Sequence, residues 1–512
     1  MALLLAKTNY GLVQGLPSDN QAVSAFKGIP FAKPPVGELR WRAPQPPEPW
    51  QGVRKAYAFE PIPYQPRQKP GSTTQREFYP VDWPRGEDCL YLNVWTSAQS
   101  ADERLPVALW IYGGGFHRGY ANKQETDGDG FAKRGCVYVN FNYRLSSLGF
   151  LAHPALAQEA PYGSSGNYGL LDQIAALKWV YENIAAFGGD PERITIFGQS
   201  AGGISVKCLM ASALSRAYVS GAIIESGCGM TPLGNRTMPA DRAAHEAMGE
   251  KFFAFLGVKT LAQAREIDAD TLFDKSQAFL RANPGLHFWP CLDGYALSEE
   301  PGDTLRRGDH PEIPCMIGYN KDESSFSIAG ESYPPEMYTP DGFERVMRAR
   351  MGAHANELLP LIDHATPEAI ENFLRWPLYL MMVPGTNAFA EVFSEKLNSP
   401  LYMYVFTHTP PGEPNVGVYH SAEKMYIHET IHRNWRPMTG EDYMLARDMA
   451  DYWANFVKYH NPNGAGLPEW TPFTPAQRRY MNLKPGCEMQ TLTETPFLSR
   501  YREILREENY SF

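Results

Sequence analysis

Arg193-Ile-Thr-Ile-Phe-Gly-Gln-Ser-Ala-Gly-Gly203 decides how this chain reads. The four residues after Arg193 are apolar or β-branched, the composition of a buried strand. Gly198-Gln199-Ser200-Ala201-Gly202 follows, and a helical run continues to about Met210. A strand that turns sharply into a helix exposes the side chain at the bend, and flanking glycines let the two elements approach. Ser200 is therefore a candidate nucleophile. A glycine-rich turn with an incidental serine is the plainer reading of the same five residues. A serine hydroxyl attacks poorly until a base takes its proton, so the motif needs partners elsewhere.

Upstream, Val107-Ala-Leu-Trp-Ile-Tyr112 reads as a strand running into Gly113-Gly-Gly-Phe116. Acyl transfer develops negative charge on a carbonyl oxygen, and preset backbone N–H groups hold it. The glycine run suits that task, with a flexible loop as the plainer reading of it alone; Gly114, Gly115 and Ala201 are the candidate oxyanion-hole donors. Further strands are expected at 137–143, 222–225, 315–319 and 401–406. Between them lie helical stretches over Leu170–Ile184 and roughly 238–257, 341–363, 384–397 and 441–459. Strands alternating with helices predict an α/β fold with a large, mostly parallel sheet. Residues 16–85 are rich in proline and turns and are expected to wrap the surface. No repeat or composition shift marks a boundary, so residues 1–512 are expected to form one catalytic domain with insertions.

The formal net charge of −10 leaves no basic surplus for phosphates, which argues against a nucleic-acid or anionic-membrane binder. No stretch reaches the length of a membrane span. The opening Met-Ala-Leu-Leu-Leu-Ala lacks the basic flank and length of a secretory leader, and a cytoplasmic protein is expected. Seven dispersed cysteines without C-x-x-C spacing predict free buried thiols rather than a disulfide framework. Nothing in the sequence asks for a cofactor or structural metal.

With these residues in view, the chain resembles the type-B carboxylesterase/cholinesterase family of α/β-hydrolases, and bacterial para-nitrobenzyl-type esterases within it. Phe26-Lys-Gly-Ile-Pro-Phe-Ala-Lys-Pro-Pro-Val-Gly37 resembles its opening strands, and Glu87-Asp-Cys-Leu-Tyr-Leu-Asn-Val94 is similar to one of its signatures. So are Asn167-Tyr-Gly-Leu-Leu-Asp-Gln173 and Phe187-Gly-Gly-Asp-Pro191. The resemblance implies a serine ester hydrolase acting on a small-molecule ester through an acyl-enzyme. It implies that Glu323 is the acid, in Gly318-Tyr-Asn-Lys-Asp-Glu323, and His420 the base, in Gly417-Val-Tyr-His420. From the residues alone, Asp322 and His408 compete for those roles. Phe288 and Trp289 fall where relatives have acyl-pocket aromatics, with core packing as the alternative. Phe116 and Gln199 complete the candidate substrate pocket.

Three departures follow. Gln199 stands where the family often has Glu, which points away from choline esters. Pro63 stands where an upstream cysteine would pair with Cys89. Lys424-Met-Tyr-Ile-His-Glu-Thr-Ile-His432 replaces a usually apolar run after the histidine, so an unusual site rim is expected. Within it, His428-Glu-Thr-Ile-His432 satisfies H-E-x-x-H, a zinc-hydrolase pattern on a helix. No third ligand motif follows, and polar residues on a rim or surface helix are the expected outcome. A non-catalytic binding protein on the same fold is the remaining alternative, opposed by the intact Ser200, Glu323 and His420.

Overall fold

A computed structural model describes residues 2–234, 239–324, 335–374 and 377–510. Its strands in chain order are β1 Leu5–Thr8, β2 Gly11–Gln14, β3 Leu16–Pro17, β4 Ser24–Pro30, β5 Val53–Lys55, β6 Tyr91–Thr96 and β7 Leu105–Ile111. There follow β8 Val137–Phe141, β9 Gly189–Gln199, β10 Gly221–Glu225, β11 Cys315–Asn320, β12 Leu401–Phe406, β13 Arg479–Leu483 and β14 Glu488–Thr491. Eleven of them form one sheet in the order β14-β13-β12-β11-β10-β9-β7-β8-β6-β4-β3, while β1, β2 and β5 form a small separate sheet. The run from β13 to β8 is parallel, and the pairs toward both edges are antiparallel. This is the α/β-hydrolase architecture.

Period-two alternation builds a core on each face. Val107, Leu109 and Ile111 of β7 join Ile194 and Ile196 of β9 and Ile224 of β10 in one cluster. Helices Tyr168–Asn183 and Ala201–Ala211 cover that face with Leu170, Leu177, Val180, Val206 and Leu209. Ala108, Trp110, Phe197, Ile223 and Met316 point the other way, onto Leu445, Met449, Trp453 and Phe456 of helix Gly440–Tyr459. Both faces are buried, which explains why the central strands read as near-continuous apolar runs.

Two expectations change. Residues 16–85 do not only wrap the surface: β4 enters the main sheet, with Phe26 and Ile29 fully buried. The helix expected over 341–363 ends at Met351, where Gly352 takes a φ of +55°. A short segment, Ala355–Leu358, resumes after the break. All seven cysteines are buried and unpaired. No helix among the described residues is long and apolar enough to cross a membrane.

Candidate active site

The site lies at the carboxyl ends of the central strands, where open α/β sheets form their crevices. β9 ends at Gln199 and helix Ala201–Ala211 starts one residue after Ser200. Ser200 occupies the bend with φ +60° and ψ −124°, a conformation costly to a side-chain-bearing residue. Three contacts hold it there. Its N–H donates to Glu225 O at 2.8 Å, tying the bend to the end of β10. Its carbonyl accepts from Ile204 N at 2.9 Å. Gly202 supplies the third: a Cβ at that position would lie 2.0 Å from Ile111 O, so only glycine lets the helix start so close to β7.

The glycine run after β7 sits beside this bend. A Cβ on Gly113 would fall 2.9 Å from Ser200 Cβ. Gly114 and Gly115 take φ values of +124° and +63°. Among the described residues, no protein acceptor takes the N–H of Gly114, Gly115 or Ala201. Unused, fixed amides near a serine are what a developing oxyanion needs.

His420 reaches the same cavity from the loop after β12. Its Nδ1 is bonded to Glu323 Oε2, and Glu323 is completely buried. The other oxygen of Glu323 accepts from Ser226 Oγ at 2.6 Å and Asn320 N at 2.8 Å. Both oxygens of the carboxylate are thus engaged, and the imidazole is held at Nδ1 with His420 bordering the cavity. Among the described residues no hydrogen bond joins Ser200 Oγ to His420; instead His420 Nε2 lies 3.3 Å from Gln199 Nε2. Ser421 Oγ donates to Gln199 Oε1 at 2.8 Å, orienting that amide nitrogen toward the imidazole lone pair. Catalytic hydrogen bonds are often loose before substrate arrives.

The competing residues sit elsewhere. Asp322 Oδ2 accepts from Val418 N at 2.9 Å and so fastens the histidine loop rather than the histidine. His408 pairs with Asp442 at 2.7 Å. Ser200, Gly113, Gly114, Gly115, Glu323 and His420 all border a cavity of about 310 Å³.

The aromatic pocket residues divide. Phe116 is fully buried, with its ring on Phe150 and on Trp289 at centroid distances of 5.2 and 4.8 Å. Phe288 packs on Phe252 at 5.3 Å, in the core. Trp289 lies half-buried behind the glycine run, 4.0 Å from where a Cβ on Gly115 would be. None of the three borders the cavity; Phe78, Tyr79, His117, Arg118, Lys123 and Lys424 do, with Gln199. Sequence reasoning passed over these residues because they come from distant segments. Only Lys424 carried a signal, as a charge in a run expected to be apolar.

The 428–432 segment forms no metal site. Helix Lys424–Ile427 ends before it, and Glu429 has a φ of +54°, so the two histidines do not share a helical face. His428 is not on a rim or surface helix as expected. It is fully buried, edge-on to Trp110 at 4.8 Å and with Nδ1 2.9 Å from Lys424 O. Burial pushes its imidazole down to about 4, so it packs as a neutral ring. Glu429 pairs with Lys133 and Arg134. No cluster of three metal-ligating side chains occurs among the described residues.

Two buried groups behind the histidine were not anticipated. Ser226, with φ +46°, donates to Glu323. Glu423 accepts from Asn320 Nδ2, and burial together with the Glu323 charge pushes its carboxyl up to about 7.

Comparison with known proteins agrees over nearly the whole length. The carboxylesterase family model matches residues 4–501. A fumonisin B1 esterase from Sphingopyxis macrogoltabida is 34% identical over 492 residues, covering 92% of this chain and 84% of the relative. The para-nitrobenzyl esterase of Bacillus subtilis strain 168 is 33% identical over 471 residues, covering 90% of each. A solved structure of a PNB esterase superposes with a TM-score of 0.83 at 30% identity, covering 98% of this chain and 99% of that one.

Proposed function

The chain belongs to the carboxylesterase family, and on that premise we propose that it hydrolyses esters through an acyl-enzyme on Ser200. Ser200 Oγ attacks the ester carbonyl carbon as His420 Nε2 takes its proton. Glu323 accepts from the Nδ1 side and stabilises the imidazolium. The N–H groups of Gly114, Gly115 and Ala201 receive the oxyanion. As the tetrahedral species collapses, the C–O bond to the alcohol breaks and His420 returns the proton to the departing oxygen. Water then repeats the sequence on the acyl-enzyme, releasing the acid and restoring Ser200.

The observation that carries this reading is the convergence of Ser200, the His420–Glu323 pair and the glycine amides on one cavity. The test is covalent. An organophosphate should stop hydrolysis of p-nitrophenyl butyrate and add its mass to the peptide containing Ser200, whereas EDTA should leave the rate unchanged. Full activity in Ser200→Ala would overturn the assignment.

A further inference from the structure

An acidic protein has placed three cations in the wall of its candidate active site. The net charge is −10, yet Arg118, Lys123 and Lys424 border the cavity that holds Ser200. Among the described residues the only carboxylate on that wall is Glu323, which is committed to His420. His117 adds no charge near neutral pH, because burial lowers its imidazole to about 4.

Behind the wall, neutralisation is incomplete. Lys123 and Lys424 share a single oxygen of Glu125, at 3.3 and 2.7 Å. The guanidinium of Arg118 engages no carboxylate among the described residues. Both lysines are more than nine-tenths buried, at 7% and 8% side-chain exposure. Lys123 is held below its ordinary range by burial, with the Arg118 charge acting in the same direction against the pull of Glu125. Packing like charges together out of water, with one counter-ion between two of them, costs folding stability. A surplus kept at such a cost, and focused in a cleft, suits an anion that arrives from solution.

The cations also flank the reacting groups. Arg118 springs from the glycine turn itself: its N–H donates to Gly114 O at 3.2 Å, and its Cγ lies 3.0 Å from where a Cβ on Gly114 would be. Lys424 follows His420 by four residues and opens the helix Lys424–Ile427. A substrate with its carbonyl at Ser200 therefore has positive charge on the oxyanion side and on the base side.

We propose that the substrate is an ester that also carries a free carboxylate, bound by Arg118, Lys123 and Lys424 while Ser200 attacks the ester group. This rests on the serine-esterase reading above and adds the substrate class. The reaction stays a hydrolysis: water adds across the acyl C–O bond, and the bound carboxylate is unchanged. The carboxylate belongs to the acyl chain, as in a half-ester of a dicarboxylic acid, or to the alcohol, as in an ester of a hydroxy acid.

Matched pairs test the proposal and separate the two cases. The mono-p-nitrophenyl ester of adipic acid is compared with p-nitrophenyl hexanoate for the acyl side. For the alcohol side, 3-acetoxybenzoate is compared with 3-tolyl acetate. In at least one pair the anionic ester should have the higher kcat/KM, by about tenfold or more, the worth of one charge-assisted hydrogen bond. That ratio should fall about tenfold in Arg118→Gln and in Lys424→Met, be largely kept in Arg118→Lys, and shrink with added salt. The salt series on the unaltered protein decides the matter if a variant fails to fold. Anionic-to-neutral ratios at or below one in both pairs, with hydrolysis of the neutral esters intact, overturn the inference and leave the esterase reading standing. No hydrolysis of any of the four and no organophosphate adduct on Ser200 overturn both.

Discussion

Glu323→Gln should disable the enzyme through the tautomer of His420, and the hydrogen bonds show why. Oε1 of Glu323 accepts from Ser226 Oγ at 2.6 Å and from Asn320 N at 2.8 Å. A glutamine must put its carbonyl oxygen there, because its NH2 group would confront the Asn320 donor. The NH2 is then forced toward His420 Nδ1. Nδ1 must accept, so the ring proton moves to Nε2, and the atom that should take the Ser200 proton no longer can. The analogous change in a serine protease triad costs about 10⁴ in kcat, or about 5 kcal/mol of transition-state stabilisation. The assay is steady-state hydrolysis of p-nitrophenyl butyrate, with a thermal melt to show that folding survives. Asp322→Asn is the control. Among the described residues the Asp322 side chain bonds only the Val418 N–H of the histidine loop, and the amide oxygen can still accept there, so a loss within about tenfold is expected. Comparable losses in the two variants, or less than a tenfold loss in Glu323→Gln with the melt unchanged, would refute the argument.

Ser226→Ala removes one donor from the buried carboxylate and should lower kcat about tenfold without moving KM, measured on the same ester. Glu423→Gln should gain stability relative to the parent as pH rises. Glu423 is raised to about 7 in the fold against 4.5 when unfolded, so between those values the native state binds more protons and loses stability with rising pH, whereas the amide does not titrate. The gain should approach about 3 kcal/mol above pH 7, read from urea unfolding of both proteins at pH 5 and 8; a pH-independent difference would contradict it. Gly202→Ala forces a Cβ to 2.0 Å from Ile111 O and should destabilise by about 3 kcal/mol or more, seen as a lower Tm or insoluble protein. A parent-like melt would mean the helix start has room to retreat.

Much of the fold was legible because the central strands carry local signals. Val107–Ile111 is apolar without interruption and Ile194–Phe197 is broken only by the β-branched Thr195, which is what burial on both sheet faces selects. Gly-x-Ser-x-Gly was legible for a related reason: the close approach of Gly202 to β7 is a steric demand met by one residue type. β4 was visible only through the family resemblance of Phe26–Gly37, because its neighbours in a proline-rich segment masked a short buried strand. His428 was misjudged because one polar ring carries no sign of whether aromatics will surround it.

The residues by themselves left two ambiguities, and long-range geometry resolves where each partner lies. Asp322 and Glu323 are adjacent and chemically alike, but only Glu323 points at Ser226 and His420. His408 is nearer to β12 along the chain, yet Asp442 claims it from a helix that follows. The charge of the cavity was hidden for the same reason. Arg118, Lys123 and Lys424 are unremarkable in a sequence of net charge −10, and they become a cationic wall only when a glycine turn, a loop and a helix three hundred residues apart face one another. The sequence alone thus determined the strand–turn–helix around Ser200, because sterics and burial act on neighbours. The tertiary structure decided which carboxylate pairs with His420 and which charges border the cavity of Ser200, because electrostatics and hydrogen bonding act through space, without regard to separation along the chain.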